Sequence, residues 1–283
     1  MTASARPIDA ARAWELLLAL SQWPEGLADA GLSVDADGAW QAIRPVDPEA
    51  VALFDLYLDF ALRCAGRPAT VGHLGQSLDG GIATADGGSH YVTGPENIDH
   101  LHRMRALADA VVVGIGTVLA DDPQLTVRRV PGPDPLRVVI DPRARLAPDC
   151  RLLSTGMSRP LLVIAEEAGP PPGVEVLRLP AGEGGIAPAA IVEALHARGL
   201  HRLFVEGGGD TVSRFLASGA LDRLQVAVAP LLIGGGRPGL TLPVLDDLAE
   251  APRPPCRTVT MGADVLFDCD LRAARPADRD ARS

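Results

Sequence analysis

One stretch of the sequence combines an acidic residue with three glycines at the predicted end of a β-strand. The strand pattern 202–205 is followed by Glu206, Gly207, Gly208 and Gly209, and a helical pattern begins at Asp210. The first N–H groups of a helix lack partners within the helix, and the helix dipole makes that end positive. Glycines let a pyrophosphate approach such groups closely. The structural alternative is a tight turn with Asp210 as N-cap, although a buried Glu206 would need a partner because an unpaired acid is costly to bury.

A second candidate lies where the buried strand pattern 110–113 runs into two glycines. Gly114 and Gly116 begin like a dinucleotide fingerprint, but Ala120 stands where a third glycine would be, and Asp121 follows. We therefore interpret the segment as a loop whose backbone N–H groups approach a phosphate, and not as a Rossmann motif.

Two glycines flank a histidine in a third strand pattern, 70–75. Gly72 and Gly75 mark the close approach of another backbone or of a flat ligand, and His73 lies between them. The residues alone leave two roles for His73 open: a ligand contact, or a core histidine whose hydrogen bonds are satisfied within the protein.

Apolar periodicity and capping signals predict the elements that position these residues. Strands that alternate with helices predict an α/β fold with a parallel core, and the last two strands, joined around Gly262, predict a hairpin that makes the sheet mixed. The expected strands are 70–75, 110–113, 137–140, 161–165, 174–179, 202–205, 224–228, 256–260 and 265–270. The expected helices are 8–20, 47–65, 96–107, 188–197 and 210–218.

The patterns divide the chain into three parts. We expect an N-terminal helical extension over residues 1–66, a main domain over 67–271 and a disordered tail over 272–283. The extension is too small to hold much core alone, so we expect it to pack on the main domain. Asp9 and Asp47 are the expected N-caps of its two helices, and residues 21–45 are expected to be a polar connection.

The composition excludes several classes of protein. The 283 residues are 47% hydrophobic, which is enough for a core, and their formal charge of −10 argues against nucleic acid or an anionic membrane surface as partner. No apolar run approaches the ~20 residues that span a bilayer, so we expect a cytoplasmic location. All 26 basic residues are arginines, which excludes Schiff-base lysine chemistry. The four cysteines form no C-x-x-C motif, so we expect reduced thiols and no metal site.

Several motifs, taken in order, are similar to one family. They are Ser77-Leu78-Asp79-Gly80, Ser89-His90-Tyr91-Val92-Thr93, Arg105, the run GTVLADDPQLTVR at 116–128, and Glu206-Gly207-Gly208. This series resembles the reductase domain of riboflavin biosynthesis, 5-amino-6-(5-phosphoribosylamino)uracil reductase, over about residues 67–271. The resemblance implies a dihydrofolate-reductase-like fold, which is a mixed, mostly parallel sheet flanked by helices.

The resemblance also implies a reaction and a cofactor. NADPH would reduce a phosphoribosylamino-pyrimidine to the ribitylamino-pyrimidine by hydride transfer to the sugar C1′, while the protein orients the reactants. The family reductases pair, so we expect a homodimer to which the apolar segment 224–233 contributes. The implied NADPH contacts extend over the loop 208–214. The implied cofactor-binding residues are Gly75, Tyr91, Thr117, Asp121, Pro142, Gly208, Gly209, Asp210 and Thr211.

Contacts with the phosphorylated pyrimidine are implied for another set of residues. Two arginines and a serine hydroxyl suit a phosphate monoester. Glu206 is the catalytic candidate, and two roles stay open for it: accepting hydrogen bonds from a pyrimidine N–H, or moving protons during ring opening. By analogy with other dinucleotide folds, Arg143 and Arg145 are candidates for the NADPH 2′-phosphate. The implied substrate-binding residues are His73, Ser89, Arg105, Leu125, Arg128 and Glu206.

The sequence departs from the family pattern in two ways. His73 stands where the family has a lysine, which leaves the exact substrate open. An imidazole with an unperturbed pKa of ~6.5 would also make turnover sensitive to pH. The deaminase motifs H-x-E and P-C-x-x-C of the bifunctional members do not occur. His100 and His102 point ~200° apart on a helix, so we reject a shared metal.

Two further hypotheses compete with this interpretation. The first is a reductase of the same fold that acts on a related pterin or flavin-like precursor, which His73 suggests. The second is a non-catalytic ligand-binding protein that keeps the fold, against which the glycine loops and paired arginines argue. NADPH oxidation with the phosphoribosylamino-pyrimidine distinguishes the three.

Overall fold

The structure, a computed structural model, describes residues 6–35, 39–88, 92–156, 158–169 and 173–272. These residues form seven α-helices, namely α1 (Ala10–Gln22), α2 (Pro48–Ala61), α3 (Pro95–Leu107), α4 (Ile115–Asp121), α5 (Arg151–Ser154), α6 (Pro188–Ala197) and α7 (Gly209–Ala217). Short 3-10 helices occur at Pro24–Leu27 and Leu248–Glu250.

Fifteen strands lie within the same ranges. In chain order they are β1 (Leu32–Val34), β2 (Trp40–Ala42), β3 (Ala69–Ser77), β4 (Gly81–Ala83), β5 (Ala110–Gly114), β6 (Leu136–Ile140), β7 (Leu161–Ala165), β8 (Glu175–Leu179), β9 (Ala181–Gly182), β10 (Gly185–Ile186), β11 (Arg202–Glu206), β12 (Arg223–Ala229), β13 (Arg237–Pro238), β14 (Cys256–Met261) and β15 (Asp264–Asp270).

Nine of these strands form one sheet in the order β14-β15-β12-β3-β11-β5-β6-β7-β8. The strands from β12 to β8 are parallel to their neighbours, whereas β15 runs antiparallel to both β12 and β14. The predicted fold class, a mixed and mostly parallel sheet flanked by helices, is confirmed. In the centre of the sheet, His73 of β3 lies in register with Glu206 of β11 on one side and Gln225 of β12 on the other.

The nine predicted strands are the nine strands of this sheet: the central ones are short apolar runs, whereas the antiparallel strand β15 alternates buried and exposed residues. Two local predictions are wrong. The segment after β5, expected as a loop, forms the helix α4. The connection 21–45 contains a 3-10 turn and the hairpin β1–β2, whose three-residue strands are too short to show alternation.

Both faces of the sheet are buried against helices. Val111 and Val113 of β5 contribute to one core, and Ala110 and Val112 contribute to the core on the opposite face. Successive side chains of a strand point to opposite faces, so a strand covered on both sides is apolar throughout.

The N-terminal helices complete the first of these cores. Leu17 of α1 and Phe54 of α2 belong to the same buried cluster as Val111, so the extension packs on the main sheet as expected. Asp9 caps α1 by accepting a hydrogen bond from the N–H of Arg12 at 2.9 Å. Asp47 occupies the N-cap position of α2, but its side chain makes no capping hydrogen bond. Of the expected tail, residues 273–283 lie outside the described residues.

The folded chain brings two of the four cysteines together. Cys256 and Cys269 pair directly across β14 and β15, and their Sγ atoms are 3.2 Å apart. All four thiols are free. Among the described residues, no helix has the length and hydropathy required to cross a membrane.

Candidate active site

A large cavity lies at the carboxyl ends of the central parallel strands. Its volume is about 1110 Å³, above the usual range for the site of one small ligand. Its lining includes Gly114 at the end of β5, Ile140 at the end of β6 and Glu206 at the end of β11, together with His73 of β3. Ligands of open parallel sheets bind at this edge. The cavity therefore is the candidate active site.

The glycine turn after β11 forms one wall of the cavity. Gly207 has a φ of +128°, a conformation that favours glycine. Gly208 is the N-cap of the nine-residue helix α7, and its N–H donates to Oγ1 of Thr117 at 2.9 Å. An added Cβ at Gly208 would lie 3.2 Å from the same oxygen. The positive end of α7 therefore faces the cavity, and no side chain at Gly208 lies between the helix start and the cavity.

The predicted cofactor-binding residues converge on this cavity, with one exception. Tyr91 lies outside the described residues. For every residue of the predicted set, contact with a cofactor stays a prediction. The residues that line the cavity are Gly75, Thr117, Asp121, Pro142, Gly208, Gly209, Asp210 and Thr211.

Arginines supply positive charge at the cavity wall. Arg143 and Arg145 line it, as do Arg214 and Arg237. Nη2 of Arg214 donates to the carbonyl oxygens of Gly184 and Ile186 at 2.7 Å and 2.9 Å, which ties the β9–β10 hairpin to α7. Guanidinium groups at these positions suit the phosphates of a nucleotide.

Glu206 is bound on both carboxylate oxygens by Arg105 of α3. Nε of Arg105 donates to Oε2 at 2.8 Å, and Nη2 donates to Oε1. Burial raises the pKa of the Glu206 carboxyl, but the Arg105 guanidinium lowers it by more, so that the pKa ends below its ordinary value. Glu206 is therefore ionised at neutral pH and lacks a proton to donate.

The other predicted substrate residues lie beside this pair. Nη1 of Arg105 donates to the carbonyl oxygen of Thr126 at 3.2 Å, and Nη1 of Arg128 donates to Oγ1 of Thr126 at 2.6 Å. Arg105 and Arg128 thus meet at one residue beside Glu206, although neither of them lines the cavity. Burial and the charges of Arg105 and Arg151 lower the pKa of Arg128. An anion between these cations would be favoured.

Two members of the predicted substrate set differ in their placement. Leu125 is buried with a φ of +56° and positions the backbone before Thr126. Ser89 lies outside the described residues. The binding roles of the set stay a prediction.

His73 is buried at the cavity wall, with 3% of its surface exposed. Its Nε2 is 3.1 Å from Oδ1 of Asn97 on α3. Burial lowers the pKa of His73 to about 4, and the Glu206 charge only partly opposes this shift. The expectation of an unperturbed pKa for His73 is therefore wrong. His73 is neutral at neutral pH, so its titration does not make turnover switch there.

No sequence pattern pointed to Asn97, because its contact with His73 joins a helix to a strand that lies apart in the chain. The two neighbouring histidines of α3 serve separate partners. His100 Nδ1 lies 2.8 Å from the Tyr57 hydroxyl, and His102 Nδ1 accepts the N–H of Arg128 at 3.0 Å. Within the described ranges, no group of three or more His, Cys, Asp or Glu side chains is placed to hold a metal ion.

The mixed, mostly parallel sheet, the cavity at the carboxyl ends of its strands and the glycine-led helix start are typical of α/β enzymes that bind a nucleotide. The family model described as the RibD C-terminal domain matches residues 71–248. The chain belongs to this family, the pyrimidine reductases of riboflavin biosynthesis.

Known relatives agree with the family assignment. The chain is 38% identical over 218 residues to the 2,5-diamino-6-ribosylamino-4(3H)-pyrimidinone 5′-phosphate reductase of Methanothermobacter thermautotrophicus, covering 73% of this chain and 99% of that protein. It is 33% identical over 219 residues to the riboflavin biosynthesis protein RibD of Aquifex aeolicus, covering 75% of this chain and 58% of that protein.

A solved structure supports the fold. The chain is similar, with a TM-score of 0.60 and 26% identity, to the diaminohydroxyphosphoribosylaminopyrimidine deaminase/5-amino-6-(5-phosphoribosylamino)uracil reductase of Thermotoga maritima. The match covers 81% of this chain and 64% of that chain. The chain therefore spans somewhat under two thirds of this two-activity relative.

Proposed function

We propose that the protein is an NADPH-dependent reductase that converts a phosphoribosylamino-pyrimidine to the ribitylamino-pyrimidine. The observation that carries this proposal is the cavity, on which the helix start at Gly208 and the carboxylate of Glu206 both lie. Relatives named as 2,5-diamino-6-ribosylamino-4(3H)-pyrimidinone 5′-phosphate reductases support a substrate of this class.

The residues at one end of the cavity fit NADPH. The helix start at Gly208 offers backbone N–H groups to a pyrophosphate, and an added Cβ at Gly116 would have nothing within 4 Å, so the wall there is open. Arg143 and Arg145 are suited to the 2′-phosphate that distinguishes NADPH from NADH. When bound, NADPH supplies the hydride. The chain's part is to hold and orient it.

The charged residues beside Glu206 fit a phosphorylated pyrimidine. The ionised Glu206 accepts hydrogen bonds and holds no proton to give, so of its two open roles we propose the acceptance of a pyrimidine N–H. Arg128 and the backbone around Thr126 would hold the phosphate, because Arg105 is already committed to Glu206. Binding of the pyrimidine by Glu206 and of the phosphate by Arg128 would fix the sugar beside the cofactor. Neither contact requires a residue that changes its protonation state.

The test of this function is NADPH oxidation with candidate substrates. The phosphorylated diaminopyrimidinone and the phosphorylated aminouracil are compared with a pterin and with a dephosphorylated pyrimidine. We expect turnover of a phosphorylated pyrimidine, at a rate that falls in Glu206→Ala. Turnover of the pterin alone would favour the other reductase hypothesis. NADPH binding without any turnover would favour a ligand-binding protein.

The choice of cofactor has its own test. Replacing Arg143 and Arg145 together with alanine should raise the KM for NADPH and leave the KM for NADH unchanged, because NADH lacks the 2′-phosphate. Arg198→Ala is the matched control, since Arg198 is an exposed arginine that is not part of the cavity lining. Equal changes for both cofactors would remove these arginines from the 2′-phosphate site.

We also propose that the protein is a cytoplasmic homodimer. Within the apolar segment 224–233, the part in β12 is held in the sheet between β3 and β15, whereas Leu231 and Leu232 are exposed. Val265 and Phe267 of β15 are exposed as well, and burial of such residues favours association. Light scattering should give twice the mass of one chain, and a monomer at micromolar concentration would overturn the dimer. Cell fractionation tests the location.

A further inference from the structure

The ring of His73 has one nitrogen held inside the protein and one that is not. Nε2 lies 3.1 Å from Oδ1 of Asn97. Nδ1 has no hydrogen-bond partner among the described residues. Unlike the fully buried unpartnered atoms of those residues, Nδ1 is not completely buried. Because the ring is buried except where it lines the cavity, Nδ1 meets the cavity.

The hydrogen bonds of Asn97 fix which nitrogen of His73 carries the proton. Nδ2 of Asn97 donates to Oγ1 of Thr93 at 2.9 Å, so the amide oxygen is the atom turned to the histidine. An amide oxygen only accepts, and Nε2 of His73 must therefore be the donor. A neutral imidazole has one N–H, which leaves Nδ1 as an acceptor.

The charged and titratable groups around His73 keep this form at neutral pH. Glu206 lies beside it on β11 and favours a proton on the ring, whereas Arg105 opposes one. His100 packs against it from α3 with ring centroids 5.5 Å apart, and burial keeps His100 neutral by lowering its pKa to about 3. The net result for His73 is a neutral ring, because burial is the largest influence on its pKa.

We propose that His73 is a specificity-determining residue that accepts, at Nδ1, a hydrogen bond from an N–H or O–H group of the substrate. Asn97 is the positioning residue that holds the Nε2–H form of the ring. The proposal rests on the proposed function for the identity of the substrate. The cavity wall then offers two acceptors side by side, Nδ1 of His73 and the carboxylate of Glu206. These acceptors select a ligand that has a hydrogen-bond donor facing each of them.

The form of the ring is measured directly in the protein without ligands. In enzyme labelled with ¹⁵N-histidine, NMR distinguishes a protonated from an unprotonated ring nitrogen. We expect Nε2–H in the wild type and a mixture of forms in Asn97→Leu, which has similar volume and no acceptor. Adding the phosphorylated pyrimidine should move the Nδ1 resonance. A wild-type ring protonated at Nδ1 would overturn the proposal, whatever reaction the enzyme performs.

Kinetics then separates a positioning role from a structural one. Asn97→Leu should raise the KM for the pyrimidine about tenfold, the effect of one lost hydrogen bond, while the Kd for NADPH stays unchanged. Asn97→Asp keeps an acceptor for Nε2–H, so its KM should return to near the wild-type value at pH 8. Its carboxylate also favours the imidazolium, so the KM should rise again as the pH falls.

The outcome that counts against the proposal is a KM unaffected by His73→Phe, or equal KM increases in Asn97→Leu and Asn97→Asp at pH 8. A substrate analogue without the sugar 2′-hydroxyl separates the two kinds of donor. If that hydroxyl is the partner, His73→Phe no longer changes the KM for the analogue. If wild-type enzyme oxidises no NADPH with either pyrimidine, the proposed function fails, and the NMR result still tests the form of the ring.

Discussion

The hydroxyl of Tyr57 donates to Nδ1 of His100 across 2.8 Å, and this buried bond joins the N-terminal extension to α3 of the main domain. On its other side, His100 Nε2 donates to Oε1 of Gln225 at 2.9 Å. Gln225 in turn lies in register with His73. Two hydrogen bonds therefore connect α2 of the extension to Gln225, which is the neighbour of the cavity residue His73 in the sheet.

The Tyr57 bond should contribute measurably to stability. Tyr57→Phe keeps the ring but leaves Nδ1 of His100 buried without a donor, which costs about 1–3 kcal/mol. We expect the free energy of unfolding in urea to fall by this amount while kcat/KM stays close to the wild-type value. A fall in kcat/KM as large as the loss of stability would show that the extension acts on the reaction.

Stability should decrease as the pH falls below about 6.5. Burial lowers the pKa of His73 to about 4 and that of His100 to about 3, from 6.5 when exposed. Between these values the unfolded chain binds protons that the folded chain does not, so folding is favoured above 6.5 and weakened below it. Each histidine contributes about 1.4 kcal/mol per pH unit in that window.

Urea unfolding at pH 7 and at pH 5 measures this slope. In His100→Gln the change of unfolding free energy with pH should be smaller by the contribution of one histidine, about 1.4 kcal/mol per pH unit. An equal slope in the wild type and the variant would show that His100 does not titrate on unfolding.

Breaking the Arg105–Glu206 pair should cost more than removing both partners. Arg105→Leu leaves a buried carboxylate unpaired, which we expect to cost about 3–5 kcal/mol of unfolding free energy. Without the guanidinium, burial raises the pKa of Glu206. The double variant Arg105→Leu/Glu206→Leu should recover much of the stability but not the activity. If the double variant were as unstable as the single one, the pair would not be the cause.

The start of α7 should be sensitive to side chains. Gly208→Val places two methyl groups where the N-cap backbone faces the cavity, so we expect the Kd for NADPH to rise by about tenfold or more because the pyrophosphate no longer reaches the helix start. Gly66→Val is the control, since an added Cβ there has nothing within 4 Å. NADPH titration, followed by fluorescence, measures both. An unchanged Kd in Gly208→Val would exclude this helix start from the cofactor site.

Arg128 should contribute to binding of the substrate phosphate. Arg128→Ala should raise the KM for the phosphorylated pyrimidine, with about 1 kcal/mol lost in kcat/KM because Arg128 is exposed, and leave the Kd for NADPH nearly unchanged. The dephosphorylated substrate is the internal control, because its KM should respond little to the same substitution. Equal use of both substrates by the wild type would contradict phosphate recognition.

Sequence patterns alone are enough to place the local elements and the glycine turns. Strands such as β7 and helices such as α6 could be predicted to the residue, since apolar periodicity and a proline at the helix start act within a few residues of the chain. The turn at Gly207 could also be predicted from neighbouring residues, because a backbone with positive φ favours glycine wherever it occurs. The resemblance added the family and a set of candidate site residues, of which Arg105, Leu125 and Arg128 do not line the cavity.

How the charged and polar residues pair depends on the tertiary fold. Glu206 and Arg105 are 101 positions apart, and their ion pair exists because parallel pairing places the end of β11 beside α3. The contact of His73 with Asn97 fixes the form of the ring, and burial of His73 lowers its pKa. Pairing and desolvation depend on which elements pack together, and local periodicity carries no information about that packing.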